Sequence, residues 1–172
     1  MDQTRRDDEF RQYVLHRRPD LLRTATLLGA GDPHLGEDLV QITLTRLYVA
    51  WPRVRPQTRD AYVHRALVNA AIDEGRRRKR RPEIPTETMP DRPAPELPDA
   101  LTDGPLREAL GALPSRMRAA VVLVHWLDLD TDAAAAALGC RAGTVKSQAS
   151  RGVAKLRILL DAHPYATSGG TR

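Results

Sequence analysis

A single cysteine, Cys140, in 172 residues excludes an internal disulfide framework and a multi-cysteine zinc site. Aromatic residues are only 4% of the chain and no clean alternating apolar run stands out, so strand signals are poor. No stretch of about 18 apolar residues exists, which argues against a membrane-spanning helix. The first residues, MDQTRRDDEFRQ, hold no apolar core of a signal peptide, and a reduced, cytoplasmic protein is expected. Five histidines (His16, His34, His64, His125, His163) are scattered without metal-ligand spacing. GxxxxGK[ST], GxGxxG and GxSxG are all missing, and no pair of carboxylates suggests acid–base work. The sequence therefore predicts no enzyme, no metal and no cofactor.

What is present is positive charge with a pattern. Lys and Arg number 27 against 22 Asp and Glu, a net charge of +5, and 24 of the 27 are arginine. GC-rich coding produces such a bias, and so does selection for the planar guanidinium fork that grips phosphates and base edges. Residues 1–81 carry a net +6, residues 82–105 a net −5 and residues 106–172 a net +4. The middle segment, PEIPTETMPDRPAPELPDALTDGP, also holds seven of the 13 prolines, a density that blocks helix interiors and central strands. The pattern predicts an all-α protein of two small basic helical domains, 1–81 and 106–163, joined by a flexible acidic linker over 82–105, with a short tail at 164–172.

Helical periodicity fills both domains. Phe10, Val14, Leu21, Ala25 and Leu28 form a stripe with Pro19 expected to kink or restart it, and Gly29 and Gly31 end it. Asp32-Pro33 reads as a helix start. Leu35, Leu39, Ile42, Leu47 and Trp51 are expected on one inward face. After a loop, WPRVRPQTR, Asp60 is expected to cap a helix that buries Val63, Leu67 and Ala70 and runs into RRRKRR at 76–81. In the second half Leu106, Leu110 and Leu113 form a short stripe. Ser115 is expected to cap the next helix, Thr131 or Asp132 to start an alanine-rich one, and Thr144 to start the last, with Val145, Ala149, Val153, Leu156 and Leu160 inward.

Three surfaces carry functional signals. DTDAAAAALGCRAGTVKSQASRGVAKLRILL is a short helix, a Gly-containing turn and a helix with a basic polar face, the helix-turn-helix arrangement. Its outward residues Lys146, Ser147, Gln148, Ser150 and Arg151 suit phosphates or base edges of a major groove; a plain solvated helix in a small bundle would read similarly. Cys140 in its turn reads as a packing residue. In RALVNAAIDEGRRRKRR, Arg65, Asn69, Asp73 and Arg76 share a face. Asn69 among apolar neighbours suits either a local hydrogen bond or a base edge. Arg76, Arg77 and Arg78 open a run of six cations suited to a phosphate backbone. In GEDLVQITLTRLYVAW, Glu37, Asp38, Gln41 and Thr45 face away from the apolar stripe, which on periodicity alone means solvent.

Taken in order, these segments resemble a known family. HLGEDLVQITLTRLYVAW is similar to regions 2.1–2.2 of bacterial RNA polymerase sigma factors of the extracytoplasmic-function type. YVHRALVNAAIDEGRRRKRR is similar to regions 2.3–2.4, and residues from LREALGALPSRMRAAVVLVHW to KLRILL resemble region 4. The resemblance covers roughly residues 7–162 and points to the SigE-like actinobacterial branch. It implies that the first domain binds and melts the promoter −10 element, with Arg65, Asn69, Arg76, Arg77 and Arg78 on DNA and the loop Pro52–Arg59 holding a flipped base. It implies that Asp38 and Gln41 meet the β′ clamp helices, and that Lys146, Ser147, Gln148, Ser150 and Arg151 read the −35 element. The partners implied are core RNA polymerase (β′ clamp helices and β flap), promoter DNA and, as in many relatives, an anti-sigma factor.

The linker is long enough. Twenty-four extended residues span about 80 Å, against roughly 70 Å for two turns of B-DNA. There are departures from the family pattern: Ile42 stands where an acidic residue is common, DTDAAAA replaces a Ser/Glu-rich start, and Gln148 replaces a frequent arginine. The alternative from the sequence is a stand-alone helix-turn-helix regulator, which needs neither the Asp38/Gln41 face nor the Asn69 face.

Overall fold

The computed structural model describes residues 3–81, 93, 95–98, 101 and 104–162. Among these there is no strand; seven helices and two irregular turns make up the regular structure. They are α1 (Gln3–Leu28), α2 (Pro33–Ala50), a 3₁₀ turn (Pro56–Thr58), α3 (Arg59–Arg80), α4 (Gly104–Gly111), α5 (Ser115–Val121), which continues as a wide π turn (Val122–Trp126), α6 (Thr131–Leu138) and α7 (Ala142–Asp161). The first three helices pack on one another. In the second half α7 lies across α5, and α6 and α4 pack against it.

α1 runs unbroken through Pro19, where the sequence suggested a restart. The carbonyl that Pro19 deprives of a donor belongs to Leu15, and both residues are exposed, so water can serve it. Tertiary ties hold the helix just before the proline: Arg18 reaches Glu37 at 3.6 Å and Arg17 pairs with Asp60. The helix ends in a Schellman motif. Gly31 N–H donates to Thr26 O at 2.8 Å and Ala30 N–H to Leu27 O at 3.1 Å. Its left-handed position is held by Ala30 (φ 60°) as well as Gly31 (φ 75°), so an alanine sits where glycine was expected to carry the turn.

Asp32 caps α2, accepting from the N–H groups of His34 at 3.0 Å and Leu35 at 3.2 Å, with Pro33 at the first helical position. Leu39, Leu47 and Trp51 are buried as expected, together with Val40 and Thr43, but Ile42 is 40% exposed. Its position one residue past Gln41 puts it on the outer face. Asp60 does not cap α3. The cap residue is Thr58, without a side-chain bond, because Asp60 is drawn to Arg17 and Tyr13 of α1. Val63, Leu67 and Ala70 are buried, and the helix continues through the basic run to Arg80.

Ser115 is likewise the first residue of α5 and not its cap; Pro114 fills that place. Asp130 caps α6, accepting from Ala133 N–H at 2.8 Å, one residue before the expected start. α7 starts at Ala142, two residues earlier than the Thr144 reading, and α4 starts at Gly104, ahead of Leu106. Gly139 adopts φ 62°, ψ 40° between α6 and α7, the left-handed geometry a helix-turn-helix turn demands.

The two halves share one apolar core. α3 packs along α6 and touches α5, and α1 meets the turn after α5. At the α3–α5 crossing a β-carbon on Gly75 would stand 2.2 Å from Ser115 Oγ, so a larger residue there would make the Ser115 side chain turn away. Most of the expected linker lies outside the described residues, as does the tail from residue 163. Its described end is anchored, however: Leu101 is buried in the core and Leu97 packs against it. A uniformly extended tether is therefore corrected to one with apolar attachments near its second end.

Candidate nucleic-acid and polymerase interfaces

The outer face of α7 is set by the residues that pack on its inner side. Val145 and Ala149 are buried against α5 and α6, and Gly152 lets α5 approach. That orientation leaves Lys146, Ser147, Ser150 and Arg151 exposed and Gln148 half-buried, so all five expected residues share a surface reached from solvent. None makes an ion pair among the described residues. The turn is braced from α5: Arg116 donates to the carbonyl of Leu138 at 3.0 Å, at the end of α6. Beside it Arg118 is buried. It donates to Leu110 O at 2.9 Å, and burial, with Arg78 nearby, lowers its pKa. Neither arginine was singled out from the sequence, because a single long-range bond leaves no periodic trace.

On α3, Arg65, Asn69, Asp73 and Arg76 are all exposed along one face. Asn69 makes no side-chain hydrogen bond within the described residues, which removes the local-bond alternative and leaves its amide open in both directions. The basic run is not uniform. Arg76 lies 3.9 Å from Asp73, and Arg78 reaches Glu74 at 3.3 Å and Asp32 at 3.9 Å, turning toward the cap of α2. Arg77, Lys79 and Arg80 have no carboxylate partner among the described residues. They project at the helix C-terminus, where the dipole also favours cations.

α2 presents Asp38, Gln41, Ile42, Thr45 and Val49 outward at helical spacing. Thr45 Oγ1 donates back to Gln41 O at 2.8 Å, so it is satisfied locally. Asp38 and Gln41 line a shallow recess with Glu74 and Arg78. Val49 is 71% exposed, which gives the face an apolar end that the polar pattern did not announce.

Between α2 and α3 the residues 52–58 are mostly exposed, and Arg53 and Arg55 have no ion-pair partner among the described residues. A cavity of about 630 Å³ lies alongside, lined by Arg53, Val54 and Thr58 of this loop, Tyr62 and Arg65 of α3 and alanines of α6. Behind it a polar cluster joins α1 to α3. Tyr13 donates to Asp60 Oδ1 at 3.2 Å, and Arg17 pairs with the other oxygen. Burial pushes the Tyr13 phenol up to about 12, with the Asp60 charge adding to the rise. Burial also lowers the His64 pKa, against the pull of Asp60. This cluster ties the start of α3 to α1. No group of three or more metal-ligating side chains occurs among the described residues.

Comparison with known proteins matches the same two halves. A model described as Sigma-70 region 2 matches residues 13–81, and one described as Sigma-70, region 4 matches residues 103–156. The chain is 39% identical over 151 residues to the RNA polymerase sigma-E factor of Streptomyces coelicolor, covering 87% of this chain and 84% of the relative. It is 35% identical over 149 residues to the ECF RNA polymerase sigma factor SigE of Mycolicibacterium smegmatis, covering 81% of this chain and 57% of that protein. Among solved structures it is similar to the sigma factor RpoE of Bartonella quintana in complex with the anti-sigma factor NepR. That likeness has a TM-score of 0.70 and 28% identity, and covers 90% of this chain and 98% of that one.

Proposed function

The chain belongs to the sigma-70 family of RNA polymerase sigma factors, in its extracytoplasmic-function group, and we propose that it binds core polymerase and directs initiation at promoters read at −10 and −35. The observation that carries this reading is the presence of both regions, in order, on one chain whose likeness to a sigma-E factor extends over 87% of its length. A stand-alone helix-turn-helix regulator would account for α7 but not for region 2.

In this reading residues 1–81 form the −10 and polymerase-binding domain, 82–105 the linker, 106–163 the −35 domain and 164–172 a tail. Asp38 and Gln41 face the β′ clamp helices, with Ile42 and Val49 adding apolar contact on the same side of α2. Arg65 and Asn69 read the −10 strand, and Arg76, Arg77 and Arg78 follow its phosphates. Arg78 must first leave Asp32 and Glu74, so its contribution is the smallest of the three. Lys146, Ser147, Gln148, Ser150 and Arg151 enter the −35 major groove, and the second domain meets the β flap. The factor works by binding alone and performs no reaction of its own. An anti-sigma partner fits the likeness to RpoE bound to NepR. No helix among the described residues is long and apolar enough to cross a membrane.

The test is co-elution with sigma-free bacterial core polymerase, followed by run-off transcription from promoters selected from a randomised library. A stoichiometric complex with promoter-dependent transcripts is expected. Duplex binding by the free protein without a polymerase complex would return the assignment to the stand-alone regulator. Within this assay Asn69→Ala is expected to reduce transcription at least tenfold with polymerase binding unchanged; an unchanged transcript yield would remove Asn69 from the −10 contact. Arg151→Ala is expected to weaken −35 duplex binding by about 1–3 kcal/mol, the usual discrimination of a bidentate base contact, measured at fixed salt.

A further inference from the structure

Trp51 closes α2 and is 3% exposed. Phe10 and Tyr13 meet it edge-on at 5.2 and 5.4 Å between ring centroids. The guanidinium of Arg59, the first residue of α3, lies over the indole at 3.7 Å from the ring centroid. Arg59 Nε is buried without a hydrogen-bond partner, and so is Trp51 Nε1. Hydrogen bonding therefore does not explain why the arginine turns inward; its stacking on the ring face does. The two stacked residues are the two ends of the 52–58 loop. One residue on, Asp60 is tied to Tyr13 and Arg17 of α1. Within the loop, Val54 N–H donates to Ala50 O at 3.1 Å and Thr58 N–H to Arg55 O at 2.9 Å, and two prolines stiffen what remains. The result is a short exposed loop with a closed, desolvated base and with Arg53 and Arg55 left free.

We propose that Arg59 is a positioning residue for −10 recognition: stacked on Trp51, it fixes the base of the 52–58 loop and thereby holds Arg53 and Arg55 toward the extruded −10 strand. Arg59 itself does not touch DNA. The proposal rests on the reading of this loop as part of the −10 site. Its energetic sense is pre-organisation, since a loop already held in place loses less freedom when the strand arrives.

The experiment uses the full chain bound to core polymerase. The probe is a forked promoter template, from the randomised library, with a single-stranded −10 segment carrying 2-aminopurine. Arg59→Gln is expected to weaken binding of this template about tenfold and to reduce the 2-aminopurine signal of base extrusion. Core polymerase binding and −35 duplex binding are expected to stay within twofold of the parent. Arg59→Lys, which keeps a cation over the ring, is expected to restore most of the loss. Parent-like binding of the forked template by Arg59→Gln overturns the positioning role. So does a parallel loss of polymerase and −35 binding, which would mean that Arg59 supports only the fold. The double variant Arg53→Ala/Arg55→Ala separates the underlying reading: if it binds the forked template like the parent, the loop is not part of the −10 site and both readings fall.

Discussion

Replacing Gly152 with leucine is expected to abolish the proposed −35 duplex binding, although residue 152 is buried against α5. Gly152 is buried on the side of α7 that crosses α5. A β-carbon there would stand 2.4 Å from Val121 Cγ2 and 3.1 Å from Met117 Cγ. Met117 has rotatable bonds and can give way. Val121 cannot, because a β-branched side chain in a helix has essentially one rotamer. Leucine adds three further carbons, so the α5–α7 crossing must open. Overpacking of a well-filled site costs about 1–3 kcal/mol, and this case belongs at the upper end. Thermal unfolding and duplex binding at fixed salt provide the readout. Gly152→Ala is expected to fall between, since better helix propensity of about 1 kcal/mol offsets part of the clash. Gly143→Ala, in the same helix but with nothing within 4 Å of the new carbon, is expected to leave stability unchanged or slightly raised. If Gly152→Leu and Gly143→Ala unfold alike, the crossing is not the tight contact described.

The second large effect is expected at Leu67, which is 1% exposed on the inner face of α3. Leu67→Ala removes buried carbons between α3 and its neighbours and should destabilise the protein by about 2–5 kcal/mol. For a chain of this length that corresponds to a fall in melting temperature of roughly 10 °C. The urea midpoint should drop with an unchanged slope, since the surface exposed on unfolding is the same. Arg65 and Asn69 face the other way, so a holoenzyme assembled well below the melting temperature should still recognise its −10 element. Loss of −10 recognition at a temperature where the variant is fully folded would mean that Leu67 shapes the reading face as well as the core.

Much of this arrangement could be read from the residues before any coordinates. Helix positions followed from period-3.6 stripes and from punctuation such as Asp32-Pro33 and Gly139, and the outward sets on α3 and α7 followed from the complement of those stripes. The errors share a cause. Asp60 and Ser115 look like helix caps, yet Asp60 is claimed by Arg17 and Tyr13 on α1, while the place before Ser115 belongs to Pro114. Pro19 looks like a break, yet solvent and tertiary ion pairs let the helix continue. Ile42 fits an apolar stripe only when its outward neighbours are ignored. Except at Ser115, where the neighbouring Pro114 takes the cap, a long-range partner or the surface outweighed a local preference. Arg59 on Trp51, Arg116 on Leu138 and Arg118 on Leu110 were invisible for the same reason.

Leu97 and Leu101 change what the chain can reach. Counted from Arg81 to Leu106 the connection has ample length for two turns of DNA. While the two leucines stay docked with the second half, only the 16 residues from Arg81 to Leu97 remain to pay out. Fully extended, these cover about 55 Å, short of the roughly 70 Å between sites two helical turns apart. If the leucines stay with the first half, the free run from Leu101 to Leu106 is shorter still. If the chain binds two elements that far apart, as proposed, Leu97 and Leu101 are expected to leave the core. In the proposed reading the connection would act as a ruler with a catch, its full length released only by undocking Leu97 and Leu101.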